Sequence, residues 1–252
     1  MSLIHNPNSM GLGRRREFFR LSPWALWDET DEAGWGDSAN TFIVFMDELN
    51  AGDNEIGQGA GLSEANRTLT EFGELPGATG SPLTRAFDTE CMTMTQACAE
   101  VTKSSTWCIV FKLLDFTEDE EGTFLKLSEG DNDFILMLTN NARRIQIRVD
   151  AGDSDYTSSA APVSDVVYVA AQADGVNDVI CGWSTSKITK WADIPSAQKA
   201  TIAGVKGDLS GETYYGSQHY ICAYYGTTSN PAYNVTTKIQ YIVISKTAFI
   251  KA

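Results

Sequence analysis

The sequence predicts an all-β protein, an antiparallel β-sandwich of many strands. Three observations point there. From about residue 83 onward, short apolar or alternating segments are punctuated by turn formers roughly every 8–12 residues. No stretch of helical period interrupts them. No self-similarity at a period of roughly 20–50 residues appears, which sets aside solenoids and propellers.

The elements follow in order. Residues 1–23 hold Asn, Gly and Pro and then a cationic cluster, "GRRREFFR", and read as an arm lying outside the core. Residues 24–252 read as the sandwich domain. "SPWALWDETDEAGW" carries a helix-start signal at Ser22-Pro23 and a stop at Gly34. "TFIVFMDEL" is a strand or a short helix; so short an apolar run does not separate the two. Two loops dense in turn formers follow, "NAGDNEIGQGAGLSEAN" and "FGELPGATGSP".

Strands then dominate. "LTRAFD" and "CMTMTQ" are short. "TWCIVFKLLDF" is continuously apolar, as a strand covered on both faces must be. In "GTFLKLSEG" the spacing of Phe124 and Leu127 breaks the alternation and implies a bulge or an imperfect face. "DFILMLTNN" and "RRIQIRVDAG" form a hairpin through Asn140-Asn141, residues that tolerate left-handed backbone. Ile145, Ile147 and Val149 alternate with Arg144, Gln146 and Arg148, one side buried and one wetted. "DVVYVAAQADGVNDVICGW" is a second hairpin turning at Asp174-Gly175, with the Tyr168 ring on the core and its hydroxyl at the rim. "YYGSQHYICAYYG" and "KIQYIVISKTAFI" supply the last strands.

Charge and cysteine usage narrow the function classes. The 252 residues carry 19 Lys and Arg against 33 Asp and Glu, a net charge of −14. Such a balance repels phosphate backbones and anionic headgroups, so neither nucleic acid nor a membrane surface is an expected partner. No apolar run approaches the roughly 18 residues of a membrane helix, and Arg14, Arg15 and Arg16 are not followed by a signal-like apolar stretch. The five cysteines include no CxxC pair and read as reduced, buried hydrophobes of a protein made in a cytoplasm.

The order of segments resembles a concanavalin A-like jelly roll of the laminin-G-like branch. The pieces that carry the likeness are "TRAFDTECMTM", "SSTWCIVFKLLDF", "GTFLKLSEGDNDFILML" and "VVYVAAQADGVNDVICGW", with "KIQYIVISKTAFI" similar to the family's last strand, which returns beside the first. Two departures stand out: Thr89 replaces the corner glycine, and Tyr168 replaces the usual Trp. The resemblance spans roughly residues 40–252; the basic arm has no counterpart in it.

What the resemblance implies about chemistry is tested residue by residue. Glycosidases of this fold set paired carboxylates on one strand in an E-x-D-x-x-E pattern. No such pattern occurs; Glu118, Asp119, Glu120 and Glu121 are consecutive and read as a solvated loop. Gln218, His219 and Tyr220 offer part of a polysaccharide-lyase set, but no Arg-bearing partner strand is recognisable, and His219 reads as an ordinary edge residue. Two histidines far apart make neither a zinc site nor a serine or cysteine triad. Laminin-G-like domains often hold calcium at the rim, for which Asp131 and Asp133 are the weak candidates, although Asp is also simply a turn former. No other cofactor is expected.

The expectation is therefore a non-enzymatic structural or interaction protein. A laminin-G-like domain with a cationic, aromatic arm looks like a phage virion component, either capsid decoration or tail-associated. Arg14, Arg15, Arg16, Phe18 and Phe19 would dock it on capsid or tail proteins within a homo-oligomeric or larger assembly, in a virion assembled in the host cytoplasm. The alternative is a glycan-binding lectin or tail adhesin, with Trp183, Trp191, Tyr214 and Tyr215 stacking on sugar rings. A polysaccharide-degrading enzyme comes last.

Overall fold

The computed structural model describes residues 41–45, 54–56, 58–59, 68–72, 85–87, 91–94, 104–114, 116, 122–129, 132–139, 142–149, 153–162, 166–173, 178–204, 207–211, 219–222, 225–227, 230–232, 237–246, 250 and 252. The arm, the helix signal after Ser22 and the turn at Asp174-Gly175 lie outside them.

Eighteen strands occur among the described residues. They are β1 (Thr41–Phe45), β2 (Asn54–Ile56), β3 (Gln58–Gly59), β4 (Thr68–Phe72), β5 (Arg85–Phe87) and β6 (Cys91–Met94). Then come β7 (Trp107–Leu114), β8 (Gly122–Glu129), β9 (Asn132–Thr139), β10 (Ile145–Val149), β11 (Asp153–Tyr156) and β12 (Val167–Ala173). The last are β13 (Val179–Ser184), β14 (Lys199–Ile202), β15 (His219–Ile221), β16 (Tyr225–Thr227), β17 (Asn230–Ala232) and β18 (Thr237–Ser245). The expected all-β sandwich is what forms. Sheet I runs β14-β13-β12-β7-β18-β1-β3, with β5 also on β18; sheet II runs β11-β10-β9-β8-β15-β6-β4-β2; β16 and β17 make a separate hairpin. The described strand pairings are antiparallel.

"TFIVF" is a strand rather than a helix, because β18 pairs along its whole length from Thr41↔Ser245 to Phe45↔Tyr241. The last strand thus returns beside the first, as the resemblance implied. The break of alternation in β8 is a bulge: its register to β9 slips between Thr123 and Leu125, which leaves Phe124 as the extra residue. Phe124 fills the core there, its ring centroid 6.0 Å from that of Phe111 and 5.7 Å from that of Phe116. In the β9–β10 connection a positive φ falls on Arg143, at 55°, and its carbonyl accepts a bond from the Ala161 N–H at 2.9 Å.

The main core lies between the sheets. Trp107, Ile109, Phe111 and Leu113 of β7, Val167 and Val169 of β12, and Ile242 and Ile244 of β18 meet Met92, Leu125, Leu127, Ile145 and Ile147 of sheet II. The Trp107 indole N–H donates to the Gly207 carbonyl at 2.8 Å, satisfying the polar edge of a fully buried ring.

A second apolar layer covers the outer face of sheet I. Cys108, Val110, Tyr168, Ala170, Tyr241 and Val243 pack there under Ile188, Trp191, Ile194 and Ile250. Gln172 holds Ile250 in place with two bonds, accepting from its N–H at 2.8 Å and donating to its carbonyl at 3.3 Å. This double cover explains why β7 and β12 are apolar on both sides. It also moves Tyr168 from the place the sequence suggested: its ring sits on the outer layer beside Lys112, whose ammonium lies 5.6 Å from the ring centroid.

His219 is not an edge residue. Its strand β15 lies between β8 and β6, so the side chain is fully buried. Cys108, Cys181 and Cys222 are buried, and Cys108 and Cys181 are free thiols. Burial pushes the Cys108 thiol up to about 12 and raises Cys181 further, as expected of inert thiols.

Candidate functional site

Sheet II has one face on the core and one turned outward, and its registers locate each outward position. Ile145, Ile147 and Val149 are fully buried, so Gln146 and Arg148 of β10 point the other way, as the alternation predicted. Across β11, Gln146 is in register with Tyr156 and Arg148 with Ser154. Toward the centre, Arg148 is in register with Leu136, Leu136 with Lys126, Lys126 with Tyr220, and Tyr220 with Thr93.

The outward positions differ sharply in exposure. Thr93, Thr123, Lys126 and Tyr220, toward the middle of the sheet, are buried. Tyr156, on the edge strand β11, is 48% exposed, and among the described residues it is the one large hydrophobic side chain open to solvent. The Arg144 guanidinium lies over its ring, 5.6 Å from the centroid, a cation–π contact that holds the phenol side chain. Gln146 sits directly across from Tyr156, with Arg144 two residues before it and Arg148 two after. The result is an aromatic platform with a cation on either side.

The backbone beneath this platform is tightly held. Asp155 accepts from the Tyr156 N–H at 2.8 Å through one carboxylate oxygen and from the Thr201 N–H at 2.9 Å through the other. Its side chain thereby ties the edge of sheet II to β14, the edge of sheet I. The next residue, Thr157, extends the ladder: its N–H donates to the Ile145 carbonyl at 2.9 Å, and its hydroxyl oxygen accepts from the Ile145 N–H at 3.1 Å. The Ser159 carbonyl then accepts from the Thr157 hydroxyl at 2.9 Å and from the Trp183 indole at 3.2 Å. Ser159 in turn donates to the Ala197 carbonyl through its N–H at 2.8 Å and through its hydroxyl at 2.9 Å. A backbone fixed this way loses little freedom when a ligand meets the side chain it carries.

The residues singled out from the sequence are placed differently. Trp183 and Trp191, expected as sugar-stacking rings, are 6% and 4% exposed and offer no open face. Trp183 belongs to the inter-sheet core and Trp191 to the outer layer of sheet I. The physical reason is that each ring covers an apolar sheet surface which would otherwise be wet. Tyr214 and Tyr215 lie outside the described residues, as do Arg14, Arg15, Arg16, Phe18, Phe19 and Asp131. Asp133 stands within β9, in register with Ser128, rather than in a rim loop. Among the described residues no three His, Cys, Asp or Glu side chains gather as a metal site. Tyr156 itself was missed, although the signal was present: an aromatic in the polar run "DAGDSDYTSS", two strand positions from Ser154 and facing the arginine side of β10.

No protein-family model and no curated protein sequence matches the chain. Solved structures do resemble it in fold. The sialidase of Trypanosoma rangeli, in complex with the inhibitor DANA, superposes with a TM-score of 0.52 over 82% of this chain at 10% identity. The chain spans 30% of that sialidase's length. The CBM40 of the Ruminococcus gnavus IT-sialidase, bound to alpha2,3 sialyllactose, matches 60% of this chain and 81% of its own at 15% identity, with a TM-score of 0.43. The likeness is one of fold, that of an antiparallel β-sandwich.

Proposed function

We propose that this chain is a carbohydrate-binding β-sandwich of laminin-G-like type, a lectin rather than an enzyme, whose sugar platform is Tyr156. The observation that carries the reading is the exposed Tyr156 ring, its backbone held by Asp155 and its register positions flanked by Arg144, Gln146 and Arg148. Pyranose rings have apolar C–H faces and a polar rim of hydroxyls. An open aromatic face beside fixed hydrogen-bond donors suits both.

The non-enzymatic part of the proposal has its own support. Glycoside hydrolysis needs two carboxylates across a scissile bond. The outward register positions of β8, β9 and β10 around the platform are Thr123, Lys126, Leu136, Leu138, Gln146 and Arg148, with no acid among them. The carboxylate of Asp155, next to Tyr156 in the chain, is engaged by two backbone N–H groups. Placement in a phage virion, with Arg14, Arg15, Arg16, Phe18 and Phe19 docking on capsid or tail proteins, rests on the sequence of residues 1–23 alone. In that setting the sandwich would serve as a tail adhesin.

A glycan array probed with the full chain and with Tyr156→Ala tests the reading. The expected result is binding to a set of saccharides that weakens about tenfold or more in the variant, the scale of losing an aromatic anchor. The melting temperature should stay unchanged, because the ring is half outside the fold. Binding that is indifferent to Tyr156 would move the site elsewhere, and turnover of an arrayed saccharide would make the chain an enzyme.

A further inference from the structure

We infer that Asp155 guards the open seam of the sandwich. Its one carboxylate caps an outward backbone donor on each of two edge strands, β11 and β14, and so keeps β11 from pairing with the same strand of a second copy of this chain. This holds whatever Tyr156 binds. At one end the sheets finish in β2 and β3, three and two residues long and one residue apart in the chain, too short to template a further strand. At the other end they finish in β11 and β14, four residues each. An edge of that length presents backbone N–H and C=O groups to any strand that can lie beside it.

Alternation along the strands decides which donors face outward. The Thr157 N–H points to β10, where the Ile145 carbonyl accepts it at 2.9 Å. Successive N–H groups of a strand point to opposite sides, so those of Tyr156 and Ser154 point away from β10. On β14 the Thr201 N–H leaves the sheet toward Asp155, and the Lys199 N–H, of the same parity, donates to the Ser196 carbonyl. Asp155 therefore takes one outward donor from each edge, Tyr156 at 2.8 Å and Thr201 at 2.9 Å. With Tyr156 taken, β11 offers at most the Ser154 donor, and one bond makes no ladder.

The chain after β11 staples the same seam. The Ser159 N–H and hydroxyl and the Ser158 hydroxyl all donate to the Ala197 carbonyl, at 2.8, 2.9 and 3.3 Å. Charge adds to the guard, because pairing β11 with its own copy would bring two Asp155 carboxylates together, and like charges on paired strands are destabilising. Without Asp155 the edge changes character. β11 then presents the Ser154 and Tyr156 donors together beside the exposed Tyr156 ring, and a second copy supplies the identical edge about a two-fold axis.

Sedimentation of the full chain over a concentration series, wild type beside Asp155→Ala, tests this. The average mass of the variant should climb with concentration toward about twice that of wild type, the mass of a two-fold dimer. Amide exchange in the variant should be slow at Tyr156 in the concentrated sample and fast in the dilute one. Asp155→Asn keeps the volume and one acceptor oxygen, so it should show a weaker rise, and it decides the matter if the alanine variant does not fold. Gly182→Ala crowds the outer face of sheet I and leaves the seam bonded, so it controls for lost stability and should sediment as wild type. Equal masses for wild type and the Asp155 variants overturn the inference, and so does the same rise in Gly182→Ala.

Discussion

Gly182 lies directly beneath Trp191. A Cβ built on this glycine would stand 3.4 Å from the indole Cζ3 and 2.7 Å from the Gln198 carbonyl oxygen. The absence of a side chain on β13 is what lets the strap of residues 185–198 close on the outer face of sheet I. That strap carries Ile188, Trp191 and Ile194 of the outer layer, and the Lys199 ammonium bonds the Trp191 carbonyl at 2.7 Å to hold it down.

Gly182→Ala should therefore destabilise the fold. A contact of 2.7 Å to backbone does not relax by moving a flexible side chain, and overpacking of this kind costs about 1–3 kcal/mol. Thermal unfolding should show a clear drop in melting temperature. Gly211→Ala is the control: nothing lies within 4 Å of its added Cβ, so stability should change by no more than about 0.5 kcal/mol. Equal effects at the two positions would mean the strap is not seated on Gly182.

The two tryptophans should respond unequally to Phe. Trp183→Phe removes the donor that holds the Ser159 carbonyl below the platform and should cost about 1–2 kcal/mol. The Trp191 indole N–H is buried with no hydrogen-bond partner, so Trp191→Phe deletes an unsatisfied donor along with some packing. Its net cost should be smaller than that of Trp183→Phe. Urea midpoints of the two variants, measured side by side, decide this. A larger loss for Trp191→Phe would show that its N–H is bonded in solution.

His219 should make stability fall on acidification. Burial, and secondarily the nearby Lys126 charge, depress its pKa to about 4 from the usual 6.5. Between those values the unfolded chain binds the proton and the native one does not, so stability is full above about pH 6.5 and declines as pH drops toward 4. The shift corresponds to up to about 3 kcal/mol from this one group. Denaturant titrations at pH 7 and pH 4.5 should show the difference, and His219→Gln should shrink it. A slope unchanged by the substitution would assign the acid sensitivity to other groups.

How far the sequence was legible depends on how local each signal is. The β10 alternation, the two hairpins and the break of alternation in β8 were readable, because strand period and turn chemistry are written within a few residues; the return of the last strand to the first was implied only by the resemblance. Trp183, Trp191 and His219 were misread for one shared reason. An aromatic or a histidine on a strand reads alike whether its strand is at an edge or in the middle, and whether its face is wet or covered. Those are properties of how strands and coverings pack, which a single segment does not contain. Tyr156 was overlooked for the converse reason: in a polar run it resembles any surface tyrosine until the register sets it between Arg144 and Arg148.

By itself, then, the chain's pattern determined an all-β protein, two-sided apolar strands at its centre, an acidic overall balance and an arginine-lined face on β10. Local propensity and side-chain period suffice for those, since they do not depend on what packs where. Only the tertiary structure decided that a strap and Ile250 roof sheet I, that both tryptophans serve packing, and that Asp155 joins the two sheets while fixing Tyr156 in the open. Exposure is a relation between distant segments, and it exists only once the sheets have closed on one another.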